Sequence, residues 1–375
     1  MSVADTDRKV LHVITTLQTG GAESMLAALV LAKRPGAPAA RVVSLLPGGA
    51  TCDRLRASGV DVTDLGMTRG RPSGGALIRL TRLIRAERPH VIQGWMYHAN
   101  LMATLALAFS GRRCRTRLYW GIRCSDMDPG LYGWSFRLAV RACAWLSRVP
   151  DAIIANSESG RDYHRRVGYR TRRFDVIDNG IDTARFRPDE TGRTRVRAEL
   201  GVDQARPLLA MVARVDPMKD YACFLDAFRR LSGVGALVIG EGTDRLPELP
   251  GLCRLGIRSD VPGLLAACDL VVSSSAFGEG FSNTIAEGMA CGLPPVATNV
   301  GDTARIIGDA GLVVPPRDPA ALAATITALL DEPPAQRAAR GRRARRRIEE
   351  RFSLSRAVEA FDALHRENTG CGNKP

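Results

Sequence analysis

Two carboxylates eight residues apart, Glu279 and Glu287, stand in FGEGFSNTIAEGMACGLPPVAT (Phe277 to Thr298), a run crowded with glycine and apolar residues. A carboxylate accepts two hydroxyl hydrogen bonds well, so a pair spaced this way suits the hydroxyls of two sugar rings. The bland alternative leaves Glu279 a solvated loop acid and gives Glu287 only a favourable charge near a helix start. Arg214 and Lys219 lie five residues apart in ARVDPMKDY, across a Pro-containing turn. They can converge on a diphosphate and neutralise charge that builds there during bond cleavage, or stand as two solvated bases. Gly20 and Gly21 in TLQTGGAESML allow backbone to approach a phosphate or a sugar. The spacing is not GxGxxG, so no dinucleotide fingerprint is read, and a lone Gly-Gly also serves an ordinary strand-to-helix turn. His98 in QGWMYHANL can donate to a substrate hydroxyl or move a proton, or be structural among its aromatic neighbours. Arg123 in WGIRCSD can meet an acidic acceptor or a phosphate, or only pair with Asp126.

These residues need elements to position them. Short β-rich apolar runs alternate with helical patterns at 10–17, 40–47, 90–95, 116–122, 151–157 and 174–180, which is βαβ alternation. A second series restarts at PLLAMVARV (207–215) and continues at 236–242, 252–257, 269–275 and 294–301. The reading is an α/β chain of two Rossmann-like parallel-sheet domains, 1–185 and 186–353, with the linker in the polar stretch 179–193. The amphipathic segment from Leu354 (354–367) has no strand after it and is expected to pack back on the first domain. In open α/β sheets ligands sit at the carboxyl ends of the strands, where helix N-termini offer unpaired N–H groups. Two such sheets facing across a cleft suit a phosphate-bearing ligand. In the opening segment, DLVVSSS is then a buried strand, AFGEG a turn at its carboxyl end and SNTIAEGMACG a short helix capped by Ser282 or Asn283. Glu287 falls one turn after Asn283 on the same face, and the N–H groups of Phe281 to Thr284 can receive phosphate between the two acids.

Composition narrows the classes. With 375 residues, 45% of them hydrophobic, the chain is long enough for two cores. Its longest apolar run, LMATLALAF from Leu101, is too short for a membrane helix. The N-terminal MSVADTDRKVLHVITTL lacks the layout of a signal peptide, so a cytoplasmic chain is expected. Nine cysteines with no CxxC pair indicate neither zinc nor a disulfide framework. The net charge of +14 is uneven: residues 1–180 carry 27 Lys+Arg against 14 Asp+Glu, and residues 181–375 carry 26 against 25. The basic surface therefore belongs to the first half; such a charge points to nucleic acid, to an anionic membrane, or simply to an arginine-rich proteome, since only four of the 53 basic residues are lysine. RAARGRRARRR (337–347) reads as a solvated helix face interrupted by Gly341 rather than a nucleic-acid site, since no aromatic residues are interleaved.

Taken together, GGAE at Gly20 to Glu23, His98 in WMYHAN, ARVDPMKD, GIRSDV at 256–261 and the E-x7-E of GEGFSNTIAEGMACG resemble the retaining GT-B glycosyltransferases of family 4. The resemblance runs from about residue 10 to 360. It implies transfer of a sugar from a UDP- or GDP-sugar, with retention and without a bound metal or other cofactor. In that family's pattern Arg214 and Lys219 hold the donor diphosphate, Glu287 the ribose and Glu279 the hydroxyls of the donor sugar. The backbone of Phe281, Ser282 and Asn283 meets phosphate and sugar. Gly20 and Gly21 close on the diphosphate from the other domain, His98 contacts the donor sugar, and the segment of Arg258 and Val261 borders the base. The expected acceptor is lipid-linked or saccharide, in envelope polysaccharide or lipopolysaccharide synthesis, with peripheral contact at an anionic inner membrane and no nucleic acid. The competing readings are a nucleotide-sugar epimerase on the same architecture and a non-enzymatic basic protein that binds membrane or nucleic acid.

Overall fold

A computed structural model of the chain describes residues 8–367 except 19, 33–36, 69, 70, 72, 128 and 132. The chain divides into two compact units, 1–178 with 355–375, and 179–354. The described cysteines are free thiols, while Cys371 lies outside the described residues. Among the described residues no helix is long and apolar enough to cross a membrane.

The first unit alternates strand and helix in chain order: β1 Lys9–Ile14, α1 Gly21–Leu31, β2 Ala39–Ser44, α2 Ala50–Ala57, β3 Asp61–Asp64, α3 Gly74–Glu87 and β4 Val91–Trp95. It continues with α4 Tyr97–Ser110, β5 Arg117–Ile122, α5 Trp134–Leu146, β6 Ala152–Ala155, α6 Glu158–Arg166 and β7 Phe174–Val176. The seven strands are ordered β3-β2-β1-β4-β5-β6-β7 and every pairing is parallel. All five residues of β4 are buried, as expected of a central strand covered on both faces. Ser73 and Ser157 cap α3 and α6 by accepting from the amides of Ala76 and Gly160.

The second unit holds α7 Glu190–Glu199, β8 Leu208–Val212, a 3₁₀ turn Pro217–Lys219, α8 Tyr221–Arg229, β9 Gly235–Ile239, β10 Leu252–Arg254 and α9 Val261–Ala266. There follow β11 Leu270–Ser273, α10 Asn283–Ala290, β12 Pro295–Thr298, α11 Thr303–Ile307, β13 Leu312–Val314, α12 Pro319–Leu330 and α13 Pro334–Arg351. Its six parallel strands run β10-β9-β8-β11-β12-β13. One core, with Leu237, Val271, Ile285 and Ile348, fills the face under α9, α10 and α13. A second, with Phe224, Val238, Val272 and Leu322, fills the face under α8 and α12. The final helix, α14 Leu354–Arg366, belongs to the first unit, where Phe361 stacks on Trp95 and Tyr119 donates to the carbonyl of Leu364 at 3.2 Å.

Three sequence expectations are revised. Residues 179–185 fall in the second unit rather than the first: Ile181 is buried in its core and bridges to Ser353. The strands β3 and β13 were not anticipated; each is the last strand of its sheet, short and only partly covered, so neither carries a long apolar run. The arginine run is neither interrupted nor mainly solvated. α13 is continuous through Gly341, where a Cβ would strike the carbonyl of Gly292 at the end of α10, so glycine permits the close approach of the two helices. Arg337 donates to Leu330 O at 2.7 Å, Arg345 to Ala290 O at 2.6 Å and Arg347 to Ile306 O at 2.8 Å. Those carbonyls end α12, α10 and α11, so one helix of arginines satisfies the orphan acceptors of three others.

Candidate functional site

In the second sheet the chain direction of strand addition reverses between β8 and β11. The loops leaving these adjacent strands at their carboxyl ends flank a crevice, the place where open α/β sheets bind ligands. Arg214 and Lys219 lie on the connection after β8, and Glu279 to Ser282 on the loop after β11, so the fold brings together two motifs sixty residues apart.

Hydrogen bonds from the serines at the end of β11 knit the two loops. Ser274 Oγ donates to the carbonyls of Lys219 (2.8 Å) and Asp220 (3.0 Å), and Ala276 N to Met218 O at 2.8 Å. Ser275 Oγ donates to Glu279 Oε1 at 2.7 Å, and the Lys219 ammonium donates to the same oxygen. Glu279 is buried, 6% exposed, so its charge is held by a paired cation and a hydroxyl rather than by water. Lys219 enters this position from a turn whose shape is set by two aspartates. Asp216 accepts from Met218 N at 2.9 Å; Asp220, at φ 45°, caps α8 by accepting from Cys223 N at 3.1 Å. Arg214 is not joined to Lys219. It is half exposed and pairs with Asp216 at 3.2 Å.

α10 begins at the same crevice. Ser282 occupies its N-cap position, and its hydroxyl makes no capping bond to the helix. A helix start without a side-chain cap is one whose first-turn N–H groups can serve an anion. Asn283 Oδ1 accepts from Asn179 Nδ2 at 2.7 Å, and Thr284 Oγ1 donates to Val212 O at 2.7 Å, which ties the helix start to the end of β8. Phe281 is buried against Phe352 and anchors the turn. One turn on, burial pushes the Glu287 carboxyl up to about 7, with Arg185 pulling the other way. Both acids are therefore partly desolvated, and Glu279 is not the solvated loop acid of the bland alternative.

Arg258 and Val261 lie after β10, two strands from the crevice's first wall. Arg258 pairs with Asp260 at 2.6 Å, and Val261 opens α9. The loops after β9 and β10 are joined by Gly240 N to Gly256 O, 2.7 Å, and by Gly256 N to Thr243 Oγ1, 3.0 Å.

The first sheet reverses in the same way between β1 and β4. Gly20 and Gly21 follow β1, and His98 follows β4, so these too flank one crevice edge. Gly20 is extended (φ −176°), a conformation any residue adopts, and Gly21 is the first residue of α1. The glycine that the backbone demands nearby is Gly49, at φ 116°, where a Cβ would strike the carbonyl of Leu17. His98 sits in the first turn of α4 behind Met96, a non-glycine residue at φ 70°. Strain of this kind persists only where its surroundings enforce it. Here Met96 N donates to Gly121 O at 2.9 Å, Asn100 Nδ2 donates to the same carbonyl at 3.1 Å, and Tyr97 OH contacts His164 Nε2 at 2.8 Å. His98 itself is exposed, and partial desolvation keeps its pKa below the ordinary histidine value. Arg123 is placed differently from an acceptor-facing cation. Its guanidinium stacks 4.6 Å over Trp95 and 5.3 Å over Phe361 of α14, and burial draws its pKa down to about 9, opposed by Asp178.

Residues that sequence reasoning did not single out complete the second crevice. Gly301 (φ 61°) lies so close to Glu279 that a Cβ would strike its carbonyl, and Asp302 N donates to Gly280 O at 3.2 Å. The loop after β12 thus backs the GEG turn. The signal for it was the Gly301-Asp302 that closes PPVATNVGD, and that for Ser274 and Ser275 was the serine run ending DLVVSSS.

Comparison with known proteins bears on the family and the fold. A family model described as "Glycosyltransferase Family 4" matches residues 19–185, and one described as "Glycosyl transferases group 1" matches 206–332. A D-inositol 3-phosphate glycosyltransferase of Segniliparus rotundus is 34% identical over 187 residues, covering 44% of this chain and 41% of that protein. The lipopolysaccharide core mannosyltransferase LpsB of Rhizobium meliloti is 28% identical over 255 residues, covering 62% and 68%. The chain thus aligns with about two fifths of the first relative's length. Among solved structures, Anabaena HepE in complex with UDP and glucose superposes with a TM-score of 0.82 at 22% identity, over 95% of this chain and 99% of that one. Sucrose-phosphate synthase of Thermosynechococcus elongatus superposes at 0.78 and 16% identity, over 96% and 98%. With the two family models matching 19–185 and 206–332, and with the shared two-domain GT-B fold, this chain belongs to the group 1, family 4 glycosyltransferases.

Proposed function

We propose that the protein is a retaining glycosyltransferase that moves a sugar from a nucleoside diphosphate sugar, with uridine or guanosine as base, to a lipid-linked or saccharide acceptor. The observation that carries this reading is the meeting of Lys219 and Glu279 at the β8/β11 crevice, beside an α10 N-terminus whose cap position makes no capping bond. HepE, which shares the fold, binds UDP and glucose, and LpsB, a relative over most of its length, is a lipopolysaccharide core mannosyltransferase.

On this reading the Lys219–Glu279 pair is a resting arrangement that the donor divides. The diphosphate takes Lys219, Arg214 and the N–H groups at the start of α10. Glu279, released from its cation, accepts from hydroxyls of the sugar, and Glu287 accepts from the ribose diol. Gly20, Gly21 and His98 approach diphosphate and sugar, and the segment of Arg258 and Val261 borders the base. The bond between the anomeric carbon and the diphosphate oxygen breaks, and the acceptor hydroxyl oxygen bonds that carbon on the face the nucleotide leaves. The acceptor's proton passes to a departing phosphate oxygen. Charge on the leaving diphosphate is then met by two cations and a helix dipole, without a metal ion, and neither glutamate acts as a covalent nucleophile. The basic first unit would lie against the anionic inner face of a membrane where a lipid-linked acceptor of envelope or exported polysaccharide synthesis is presented.

Glu287→Ala and Lys219→Ala are expected to abolish transfer while the protein remains folded. Full activity in either variant would remove the assignment, and conversion of donor with no acceptor present would favour an epimerase. A thermal-shift screen over nucleotide sugars identifies the donor, since a ligand at one hundred times its Kd stabilises the native state by about 2.7 kcal/mol.

A further inference from the structure

Two of the four tryptophans, Trp95 and Trp120, are wholly buried, whereas Trp134 and Trp145 are 65% and 83% exposed on a single helix, α5. Leu138, 58% exposed, lies between them. The arginines Arg137 and Arg141 share the helix, and Arg148 follows just past its end. At about 100° per residue the five of these side chains that α5 carries leave the helix within an arc of about 100°, with the arginines on one flank and the apolar groups on the other. The opposite side, with Ala139 and Cys143, is buried in the core. α5 is thus amphipathic inward and again across its outer face.

The layer continues the pattern. α5 packs beside α4 and α4 beside α3. Phe109 and Leu105 are exposed on α4, and Ile78, beside exposed Arg79 and Arg82, on α3. No acidic residue occurs between Pro129 and Pro150. Isolated exposed apolar residues need no explanation, but a contiguous set that includes two tryptophans marks an interaction site.

We infer that the outer face of α3, α4 and α5 is a docking surface for an anionic lipid bilayer, with Trp134, Leu138 and Trp145 entering the headgroup boundary and Arg137, Arg141 and Arg148 meeting lipid phosphates. Charge complementarity selects this occupant. A second copy of the chain on a two-fold axis would set arginines opposite arginines, with no carboxylate on α5 to pair them. Tryptophan and arginine on one helix face are what the interfacial region of a bilayer accommodates, the ring at the boundary and the cation at the phosphate. The helices α4 and α5 both start at the carboxyl edge of the sheet, so the face runs down from the edge that carries His98. The inference deepens the peripheral-membrane reading above and rests on it only for the identity of the acceptor.

The test is flotation of the full-length protein with vesicles of mixed phosphatidylglycerol and phosphatidylcholine, against phosphatidylcholine alone. The protein should float with the anionic vesicles about tenfold more strongly, and less so as salt rises. Trp134→Ser/Trp145→Ser should cut that binding about tenfold, and Arg137→Gln/Arg141→Gln should cut it and flatten the salt dependence. Brominated lipids should quench the fluorescence of the unaltered protein, which needs no variant, since Trp95 and Trp120 are out of reach. Equal flotation on neutral vesicles, undiminished flotation of the double tryptophan variant, or absence of quenching would overturn the inference. So would a concentration-dependent dimer that the tryptophan variant abolishes, since that assigns the face to a second copy. Nucleotide-sugar binding by the tryptophan variant should be unchanged. Flotation that persists while no nucleotide sugar binds supports the docking face and counts only against the transferase reading.

Discussion

Replacing Glu287 by glutamine tests whether a carboxylate is kept in an unfavourable place for the sake of a ligand. Burial raises its pKa from 4.5 to about 7. At about 1.36 kcal/mol per pH unit, an interval of about 2.5 makes the ionised form cost up to about 3 kcal/mol, and residual exposure brings this to about 2 to 3. The native state holds the proton more tightly than the unfolded chain. The protonated residue's contribution is therefore fully present below 4.5 and is lost as pH rises through about 7. Glu287→Gln is neutral throughout and escapes that loss. In urea titrations the variant should match the unaltered protein near pH 4 and exceed it by about 2 to 3 kcal/mol at pH 8, with the gap opening between 4.5 and 7. The same variant should bind donor more weakly, because a charged acceptor's hydrogen bonds to the ribose contribute about 1.5 to 3 kcal/mol. A stability gap that does not change with pH, or a variant less stable at pH 8, would show that ionised Glu287 carries no burial cost.

Other perturbations follow from the same contacts. Lys219→Ala leaves the buried Glu279 carboxylate without its cation and should destabilise by about 3 kcal/mol; Lys219→Ala/Glu279→Ala should recover most of that stability in denaturant titrations without recovering transfer. Gly301→Ala forces a Cβ against the Glu279 carbonyl at a positive φ. Calorimetry should show donor affinity lowered about tenfold, with a modest loss of melting temperature. Gly341→Ala drives α13 from the end of α10, and urea midpoints should report about 1 to 3 kcal/mol of destabilisation with catalysis per folded molecule unchanged. Arg347→Ala orphans the carbonyls that end α11 and should cost about 1 to 3 kcal/mol, read by thermal unfolding.

Much of this was legible in the residues because local pattern and tertiary role agreed. DLVVSSS, AFGEG and SNTIAEGMACG form a buried strand, a turn and a helix in the expected order, with Ser282 at the N-cap position. The central strands read clearly since both faces are covered, whereas β3 and β13 did not, being short edges that are only partly covered. The contacts within the site were less accessible. Spacing suggests that Arg214 joins Lys219, but the turn built by Asp216 and Asp220 sends Lys219 to Glu279 and leaves Arg214 on Asp216. Arg123 reads as a cation at a strand's end, and only the return of α14 over β4 and β5 sets it against the rings of both Trp95 and Phe361. The arginine run looks like surface because a donor to a distant helix end leaves no trace in periodicity; Gly341, which reads as an interruption, is the point of close approach to α10.

A β8/β11 crevice that takes a nucleoside diphosphate should hold it through Lys219 and Glu287. Isothermal titration of the unaltered protein with UDP and with GDP at pH 8, where Glu287 is ionised, followed by the same titration of Glu287→Ala, tests it most directly. One of the two nucleotides should bind with a stoichiometry of one, and the variant should bind it about tenfold or more weakly, in line with the loss of a charged hydrogen-bond acceptor. Failure of both nucleotides to bind, or equal affinity in the variant, would contradict it.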